Sequence, residues 1–306
     1  MGFGISISWN SFRYTDGTKI ISEIKSVGFN EIELSFNLPS QTLEDIYSSF
    51  CQGGIKVLSV HNFCPIPDGL KREEALPDFY SIASGDEQAR KLAVIQAKKS
   101  IDTASRFNAK AVVLHSGRVE IPDKTKDLIR LYAQGLKNER VFIELRNEIA
   151  NERKERATPF FERTLKSLEE INRYAVNKGI YLGVETRNYY REIPSFDEIG
   201  VILKEFRGSN IFYWHDCGHA QIMENLGFIK HKEFLLAYGN SMIGMHIHDV
   251  VGCSDHRAPF TGEMNFTLLK PYFKENIIKI IEAHYPATED ELRKSKSFLE
   301  GMVSGS

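Results

Sequence analysis

Short runs of apolar and β-branched residues alternate with longer amphipathic segments along almost the whole chain. The short runs are mostly continuous in hydrophobicity, which is typical of strands buried on both faces of a parallel sheet. The longer segments repeat apolar residues every three to four positions, as helices with one buried face do. The predicted strands cover residues 3–8, 31–36, 56–63, 110–116, 181–187, 211–217, 243–249 and 277–283.

Two of the intervening segments are predicted to be long helices, residues 88–107 and 160–178. Each carries one apolar stripe, which predicts that this face packs against the sheet. Gly28, Gly53 and Gly179 fall between a helix and the following strand, where a glycine commonly ends a helix. The stripes consist of Val94, Ala97, Ile101 and Ala104 in the first helix, and of Phe161, Leu165, Leu168, Ile171 and Ala175 in the second.

Eight successive strand–helix units predict a closed (β/α)8 barrel that forms a single domain over residues 1–306. The alternative is an open, doubly wound sheet. Such a sheet commonly carries a G-x-G-x-x-G turn after its first strand, where a dinucleotide binds. Residues 6–11 of this chain are S-I-S-W-N-S instead. We therefore favour the closed barrel.

Two connections are much longer than the rest. Residues 64–87, after the third strand, begin with two prolines and a glycine and are predicted to form a loop. Residues 118–159, after the fourth strand, form a second long connection that includes a densely charged run from Lys137 to Arg156. We interpret this run as a solvated helix that packs one apolar stripe against the protein. Alternatively, both connections cover an active site at the carboxyl face of the barrel.

Composition narrows the class of protein. Acidic and basic residues nearly balance at a net charge of −2, which argues against nucleic acid as a partner. No stretch reaches the roughly 18 apolar residues that would span a membrane, and the first residues do not resemble a secretion signal. The four cysteines form no C-x-x-C pair, which argues against a disulfide framework or a zinc ribbon. We expect a cytoplasmic protein, with self-association left open.

The candidate chemistry lies at the carboxyl ends of the third to eighth strands, each of which supplies a histidine, aspartate or glutamate. Singly, each could be a buried hydrogen-bonded residue, but in a parallel barrel these ends share the face on which active sites lie. Burying several carboxylates and imidazoles together is unfavourable unless a cation balances them. Such a mixed set suits zinc, manganese or cobalt better than calcium. The residues are His61, His115, Glu185, Asp216, His246 and Glu282.

Further polar residues follow the sixth and seventh strands. His219 lies three residues after Asp216, on the next turn of the chain. His248 lies two residues after His246 and therefore on the same face of its strand. Asp255 and His256 come next, either as polar loop residues or as additional ligands and partners of ligands.

The chain contains, in this order, the motifs V-H-N-F, V-V-L-H-S-G, L-G-V-E-T-R, D-C-G-H-A, H-I-H-D, S-D-H-R-A-P-x-x-G and I-I-E. Together they resemble the xylose isomerase-like TIM-barrel superfamily over roughly residues 3–283. That superfamily includes sugar and sugar phosphate isomerases and epimerases, inosose dehydratases and the endonuclease IV group of apurinic-site nucleases.

The resemblance implies a metal ion held by Glu185, Asp216, His246 and Glu282, and a substrate contact from His219. The implied activity is that of an isomerase or epimerase of a small sugar, sugar phosphate or polyol derivative. Glu185 and Glu282 would transfer a proton across a metal-stabilised enediolate, and His219 would polarise the carbonyl. Zinc or manganese is the expected metal, with cobalt or magnesium as alternatives. Candidate substrate-binding residues are Arg187, Arg257 and His248.

The alternative implied by the resemblance is a multinuclear zinc phosphodiesterase, similar to endonuclease IV and acting on abasic DNA. Asp255 and His256 are adjacent here rather than separated by one residue, and E-T-R-N-Y-Y replaces the nuclease's E-N-T-A-G-Q-G after the fifth strand. We therefore predict the isomerase or epimerase class. The residues implied for further metal ions are His61 and His115 beside Glu185 for a second, and His219, Asp255 and His256 for a third.

Overall fold

Eight parallel strands close into a barrel in the computed structural model, which describes residues 2–304. The first and last barrel strands pair directly, with Gly4 opposite Ile280 and Ile5 opposite Ile281. This pairing confirms the closed barrel, because each of the eight strands then has a neighbour on both sides, whereas an open sheet has two edge strands. In barrel order the strands are β1 (Gly4–Ser6), β2 (Glu31–Leu34), β3 (Lys56–His61), β4 (Ala111–Leu114), β5 (Tyr181–Glu185), β6 (Ile211–Asp216), β7 (Met242–Ile247) and β10 (Ile278–Ile281).

The helices surround this barrel, and both long helices predicted from the sequence are present with their apolar stripes largely buried. Gly179 ends one of them with φ +67°, a left-handed conformation that glycine adopts without strain. The helices are α1 (Ser8–Ser11), α2 (Gly17–Ser26), α3 (Ser40–Cys51), α4 (Glu87–Arg106), α5 (Thr125–Ala133), α6 (Arg140–Arg156), α7 (Thr158–Lys178), α8 (Phe196–Glu205), α9 (Cys217–Asn225), α10 (His231–Tyr238) and α11 (Glu289–Ser304).

The two long connections differ from each other. The first is a loop with one short 3-10 turn, Arg72–Glu74, as the sequence predicts. The second is mostly helical rather than a loop, since α5 and α6 form within it. The charged run becomes α6 and buries Phe142 and Ile149, which confirms its interpretation as a helix with one packed face. The alternative interpretation placed both connections over the carboxyl face of the barrel. Asp78 of the first connection does reach this face, where its Oδ1 lies 3.2 Å from Nδ1 of His115.

The indole ring of Trp214 on β6 fills the barrel interior beneath the carboxyl face. It is fully buried, and its ring centroid lies 5.1 Å from that of His246. Gly183 and Gly244 face the indole from the neighbouring strands β5 and β7, and a Cβ on Gly244 would overlap the ring. The two glycines therefore make room for the tryptophan, which in turn supports His246 from below.

An antiparallel hairpin follows the seventh barrel strand, where the sequence predicts only a polar loop. Its strands are β8 (Asp249–Val251) and β9 (Ser254–Arg257), and Gly252 turns between them with φ +59°. The buried Asp249 carboxylate accepts hydrogen bonds from the backbone N–H groups of Val250, Gly262 and Met264. These bonds fix the loop after the hairpin.

Two expectations from composition can be compared with the structure. Within residues 2–304, no helix is long and apolar enough to cross a membrane. All four cysteines are free thiols in the structure.

Candidate metal centre

Four side chains from four different strand ends meet at the carboxyl face of the barrel. Glu185, Asp216, His246 and Glu282, here called the central cluster, each place one donor atom within 4.8 Å of the others. Nδ1 of His246 lies 2.7 Å from Glu185 Oε1, 2.9 Å from Glu282 Oε2 and 3.6 Å from Asp216 Oδ2. One nitrogen therefore faces three carboxylates, and all four residues are buried.

The electrostatics of the central cluster favour a positive charge at its middle. Burial lowers the pKa of His246, but Glu282 and Glu33 outweigh it and hold that pKa well above the usual value. Burial also opposes ionisation of Glu185 and Glu282, yet neighbouring positive charges lower the pKa of both carboxyls. The proton on His246 supplies the balancing charge, and a divalent cation would supply more.

Asp216 has one oxygen that is satisfied by the protein and one that is not. Oδ1 accepts a 2.7 Å hydrogen bond from the backbone N–H of His219 and a 2.9 Å bond from Nε2 of His248. Oδ2 is fully buried and has no hydrogen-bond partner among residues 2–304. A buried acceptor left unpaired costs about 1–3 kcal/mol. This unpaired oxygen faces the central cluster, so the donor set fits a bound cation.

Sequence reasoning missed Glu33, which lies on β2 and is completely buried. Its Oε1 is 3.0 Å from Nε2 of His246, and its Oε2 accepts a 2.7 Å hydrogen bond from Ser59 Oγ. A histidine that binds a metal ion commonly donates its other ring N–H to a carboxylate, which fixes the orientation of the ring. Glu33 therefore orients His246 so that Nδ1 faces the central cluster.

His219 has a defined tautomer. Nδ1 lies 2.9 Å from the carbonyl oxygen of Thr186, and because a carbonyl can only accept, Nδ1 carries the hydrogen. Burial lowers the pKa of His219 to about 4, so the ring is neutral at neutral pH. Nε2 is then an acceptor, 3.7 Å from Asp255 Oδ2. In this state Nε2 can accept a hydrogen bond but cannot donate one to a carbonyl oxygen, as the role expected from the sequence would require.

His248 is a partner of Asp216. Its Nδ1 accepts a 2.9 Å hydrogen bond from the backbone N–H of His256, so Nε2 is the nitrogen that donates to Asp216. The ring is completely buried. This geometry favours a role in orienting Asp216 over the substrate contact expected from the sequence.

Asp255 and His256 lie on β9 at the rim of the central cluster. Nδ1 of His256 is 3.2 Å from Asp255 Oδ1, and Nε2 is 3.8 Å from Glu282 Oε2. The ring stacks on His284, which sequence reasoning did not single out. Arg257 is not part of the central cluster but lines a neighbouring cavity of about 260 Å³, together with these three residues.

His61, His115 and Glu185 form a second group, here called the flanking group, whose donor atoms also lie within 4.8 Å of one another. Arg187 enters this group from the end of β5. Its Nη1 is 2.6 Å from Glu185 Oε2 and 2.7 Å from His115 Nε2, and its Nη2 is 3.0 Å from Glu192 Oε1. These contacts occupy the guanidinium that the sequence suggested for binding a substrate's phosphate or carboxylate.

A cavity of about 510 Å³ adjoins the flanking group, which is large enough for a small-molecule ligand. Its lining includes Arg187, Glu192, Tyr190 and Phe228, and the rings of Tyr190 and Phe228 stack with their centroids 3.9 Å apart. Lys154 of α6 also lines the cavity, so the second long connection contributes to its wall.

Comparisons with known proteins agree with this architecture. A family model described as a xylose isomerase-like TIM barrel matches residues 21–301. Three similar solved structures are a D-tagatose 3-epimerase-like protein (20% identity, TM-score 0.67, 99% of this chain and 97% of that one), L-ribulose 3-epimerase (14%, 0.69, 100% and 95%) and 3-keto-D-glucoside 4-epimerase from E. coli (14%, 0.67, 98% and 99%). None of the curated proteins compared with the chain is significantly similar in sequence.

Proposed function

Since the chain belongs to the xylose isomerase-like TIM-barrel family, we propose that it is a divalent-metal-dependent isomerase or epimerase of a small sugar, sugar phosphate or polyol derivative. The observation that carries the proposal is the central cluster, in which two glutamates from separate strands face one buried nitrogen. The similar solved structures, which are named as sugar epimerases or as epimerase-like, support the same class.

The central cluster is the proposed metal site. Its three carboxylates, its single imidazole and the unpaired Oδ2 of Asp216 suit zinc or manganese, with cobalt or magnesium as alternatives. A divalent ion bound there would stabilise negative charge on adjacent hydroxyl and carbonyl oxygens of the substrate.

Glu185 and Glu282 are the proposed proton carriers. Both are ionised at neutral pH because their pKa values are lowered, so either can act as a base. One carboxylate would take the proton from the carbon between two substrate oxygens, which breaks the C–H bond and leaves an enediolate. The other would take up a proton from solvent and deliver it to the opposite face of that carbon or to the neighbouring carbon, and the first would release its proton to solvent. Glu282 follows β10, which pairs with β7 on one side, and Glu185 ends β5, which lies on the other side of β7 with β6 between them.

His219 is the proposed contact to a substrate hydroxyl. Its Nε2 accepts a hydrogen bond from the hydroxyl, and its bond to the Thr186 carbonyl holds the orientation of the ring. A hydroxyl held in this way is oriented relative to Glu185, which directly precedes Thr186 on the chain.

The proposal is tested by deuterium exchange. The metal-loaded protein is incubated in D₂O with ketopentoses, ketohexoses, their phosphates and inososes, and the products are examined by NMR. We expect deuterium at the carbon beside the carbonyl, because a carboxylate that holds a substrate proton can trade it with solvent. A panel with no deuterium uptake, combined with cleavage of abasic DNA, would refute the proposal.

A second candidate function is the multinuclear phosphodiesterase. It is favoured by the flanking group and by a further set of converging donors, Asp216, His219, His248 and His256. Its test is nicking of abasic DNA, with activity that falls steeply as salt rises. The net charge of −2 and the occupied nitrogens of His248 disfavour it.

A small carbohydrate as the substrate and a cytoplasmic location stay predictions, and self-association stays open. The cavity of about 510 Å³ is large enough for a small molecule, although no residue of the central cluster lines it.

A further inference from the structure

The flanking group is prepared for metal binding on its protein side. Nδ1 of His61 lies 3.0 Å from the carbonyl oxygen of Asn62, and Nδ1 of His115 lies 3.2 Å from Asp78 Oδ1. Because these oxygens act as acceptors, each Nδ1 carries a hydrogen, and Nε2 is the nitrogen of each ring that faces the group. Metal-binding histidines commonly have one ring N–H held by a neighbouring oxygen in this way.

Arg187 places a positive charge between the donors of this group. Its Nη1 is within 2.7 Å of both His115 Nε2 and Glu185 Oε2. A guanidinium keeps its proton throughout the physiological pH range, so this charge is permanent. A metal ion bound to His115 and Glu185 through the same atoms would need the lone pairs to which Arg187 donates.

Nε2 of His115 is in contact with both other groups. It lies 2.7 Å from Nη1 of Arg187 and 2.8 Å from Oε2 of Glu185. Arg187, His115 and Glu185 therefore already pair through the atoms that a metal ion between the imidazole and the carboxylate would bind.

Arg187 is held in this position by the loop after β5. Its Nη2 donates to Glu192 Oε1 at 3.0 Å, and the other carboxylate oxygen of Glu192 accepts a 3.0 Å bond from the backbone N–H of Tyr189. Arg153 of α6 donates to the carbonyl oxygen of Glu192 at 2.9 Å. The Arg187 side chain is only 8% exposed. It is therefore a fixed part of the site and not a mobile surface arm.

We propose that the guanidinium of Arg187 takes the place of a second metal ion in the flanking group, so that the protein binds one divalent ion, in the central cluster. The inference rests on the proposed function for the central site and adds the number of ions. It also makes Arg187 the residue that determines the reaction class, because multinuclear phosphodiester hydrolysis needs the second ion.

The test is a count of bound metal. The protein is stripped with a chelator, loaded with Zn²⁺, freed of unbound metal and measured by plasma mass spectrometry. We expect one equivalent in the unchanged protein and a second in Arg187→Met, which keeps the apolar stem but removes the charge. Adding His115→Ala to that variant should return the count to one. Arg191→Met is the matched control, because Arg191 lies in the same loop but pairs with Asp123 outside the site.

Two results would overturn the inference: two or more equivalents in the unchanged protein, or one equivalent in an Arg187→Met variant whose circular dichroism shows it folded. If that variant does not fold, His61→Ala and His115→Ala in the otherwise unchanged protein decide. Retention of one equivalent supports the inference, and a lower count overturns it. The metal count does not depend on turnover, so a one-metal protein without deuterium exchange would contradict the proposed function alone.

Discussion

Asp216 and His248 are joined by a 2.9 Å hydrogen bond in which Nε2 of the buried imidazole donates to Oδ1 of the carboxylate. The backbone N–H of His256 fixes the tautomer by donating to the other ring nitrogen. Only Oδ2 of Asp216 is left for the central cluster, and it points where the other three donors meet. His248 is thus a positioning residue for a proposed metal ligand.

Replacing His248 should therefore weaken metal binding more than it changes the fold. We expect His248→Ala to lower the affinity for Zn²⁺ about 10- to 100-fold, because Asp216 loses the donor that orients it. His248→Gln should recover part of this loss, since its amide can still donate. Competition with a chromophoric chelator measures the affinity, and equal affinities in all three proteins would contradict the assignment.

The two glutamates of the central cluster should be individually essential for turnover. Glu185→Gln and Glu282→Gln keep the size of the side chain but remove its charge, so each should lower kcat by about 10²- to 10⁴-fold. Glu31→Gln is the matched control, because Glu31 starts β2 at the opposite end of the barrel and pairs with Lys56. Steady-state kinetics on a substrate found by deuterium exchange provide the measurement. A comparable loss in the control would show that the effect is not specific.

The barrel could be predicted because its strands are buried on both faces and leave continuous apolar runs in the sequence. His246 and Glu282 were recognisable for a related reason: a charged or ionisable side chain at the end of such a run is conspicuous. The convergence of six strand ends then follows from the geometry of a parallel barrel and needs no knowledge of side-chain contacts.

Other residues of the site could not be recognised in this way. Glu33 alternates with Glu31 in E-I-E-L, which looks like the polar face of a half-exposed strand, although Glu33 is buried and holds His246. Asp78 and Glu192 lie in loops whose paths depend on packing against distant elements. The role of Arg187 depends on the direction of its side chain, which the spacing from Glu185 does not specify.

Acid should destabilise the protein partly through His231, a buried residue at the start of α10. Burial lowers its pKa to about 4, and its Nε2 lies 3.0 Å from Nε2 of His215. In the unfolded chain a histidine titrates near ~6.5, so between these values the unfolded state binds a proton that the folded state does not. The free energy of unfolding therefore decreases as the pH falls from 6.5 toward 4, by up to about 3 kcal/mol.

The variant His231→Gln should accordingly show a shallower decline in the free energy of unfolding between pH 6.5 and 4. Denaturant titrations at several pH values give this slope. Lys232→Gln, at the exposed neighbouring position, should keep the slope of the unchanged protein. A slope that is the same with and without the imidazole would contradict the assignment.

The barrel interior provides a prediction that does not depend on function. Gly244→Ala would place a methyl group into the ring of Trp214, which is fully buried and cannot move away without displacing its neighbours. Overpacking of this kind costs about 1–3 kcal/mol. Because Trp214 supports His246, the variant should also bind metal more weakly.

Gly301→Ala in α11 is the matched control. Within residues 2–304, no atom outside its own stretch of helix lies within 4 Å of the added Cβ, and alanine should stabilise the helix by up to about 1 kcal/mol. Denaturant titrations of both variants, monitored by far-UV circular dichroism, give the free energy of unfolding. We expect it to fall in Gly244→Ala and to rise in Gly301→Ala. Equal destabilisation of both variants would show that the contact with Trp214 is not the cause.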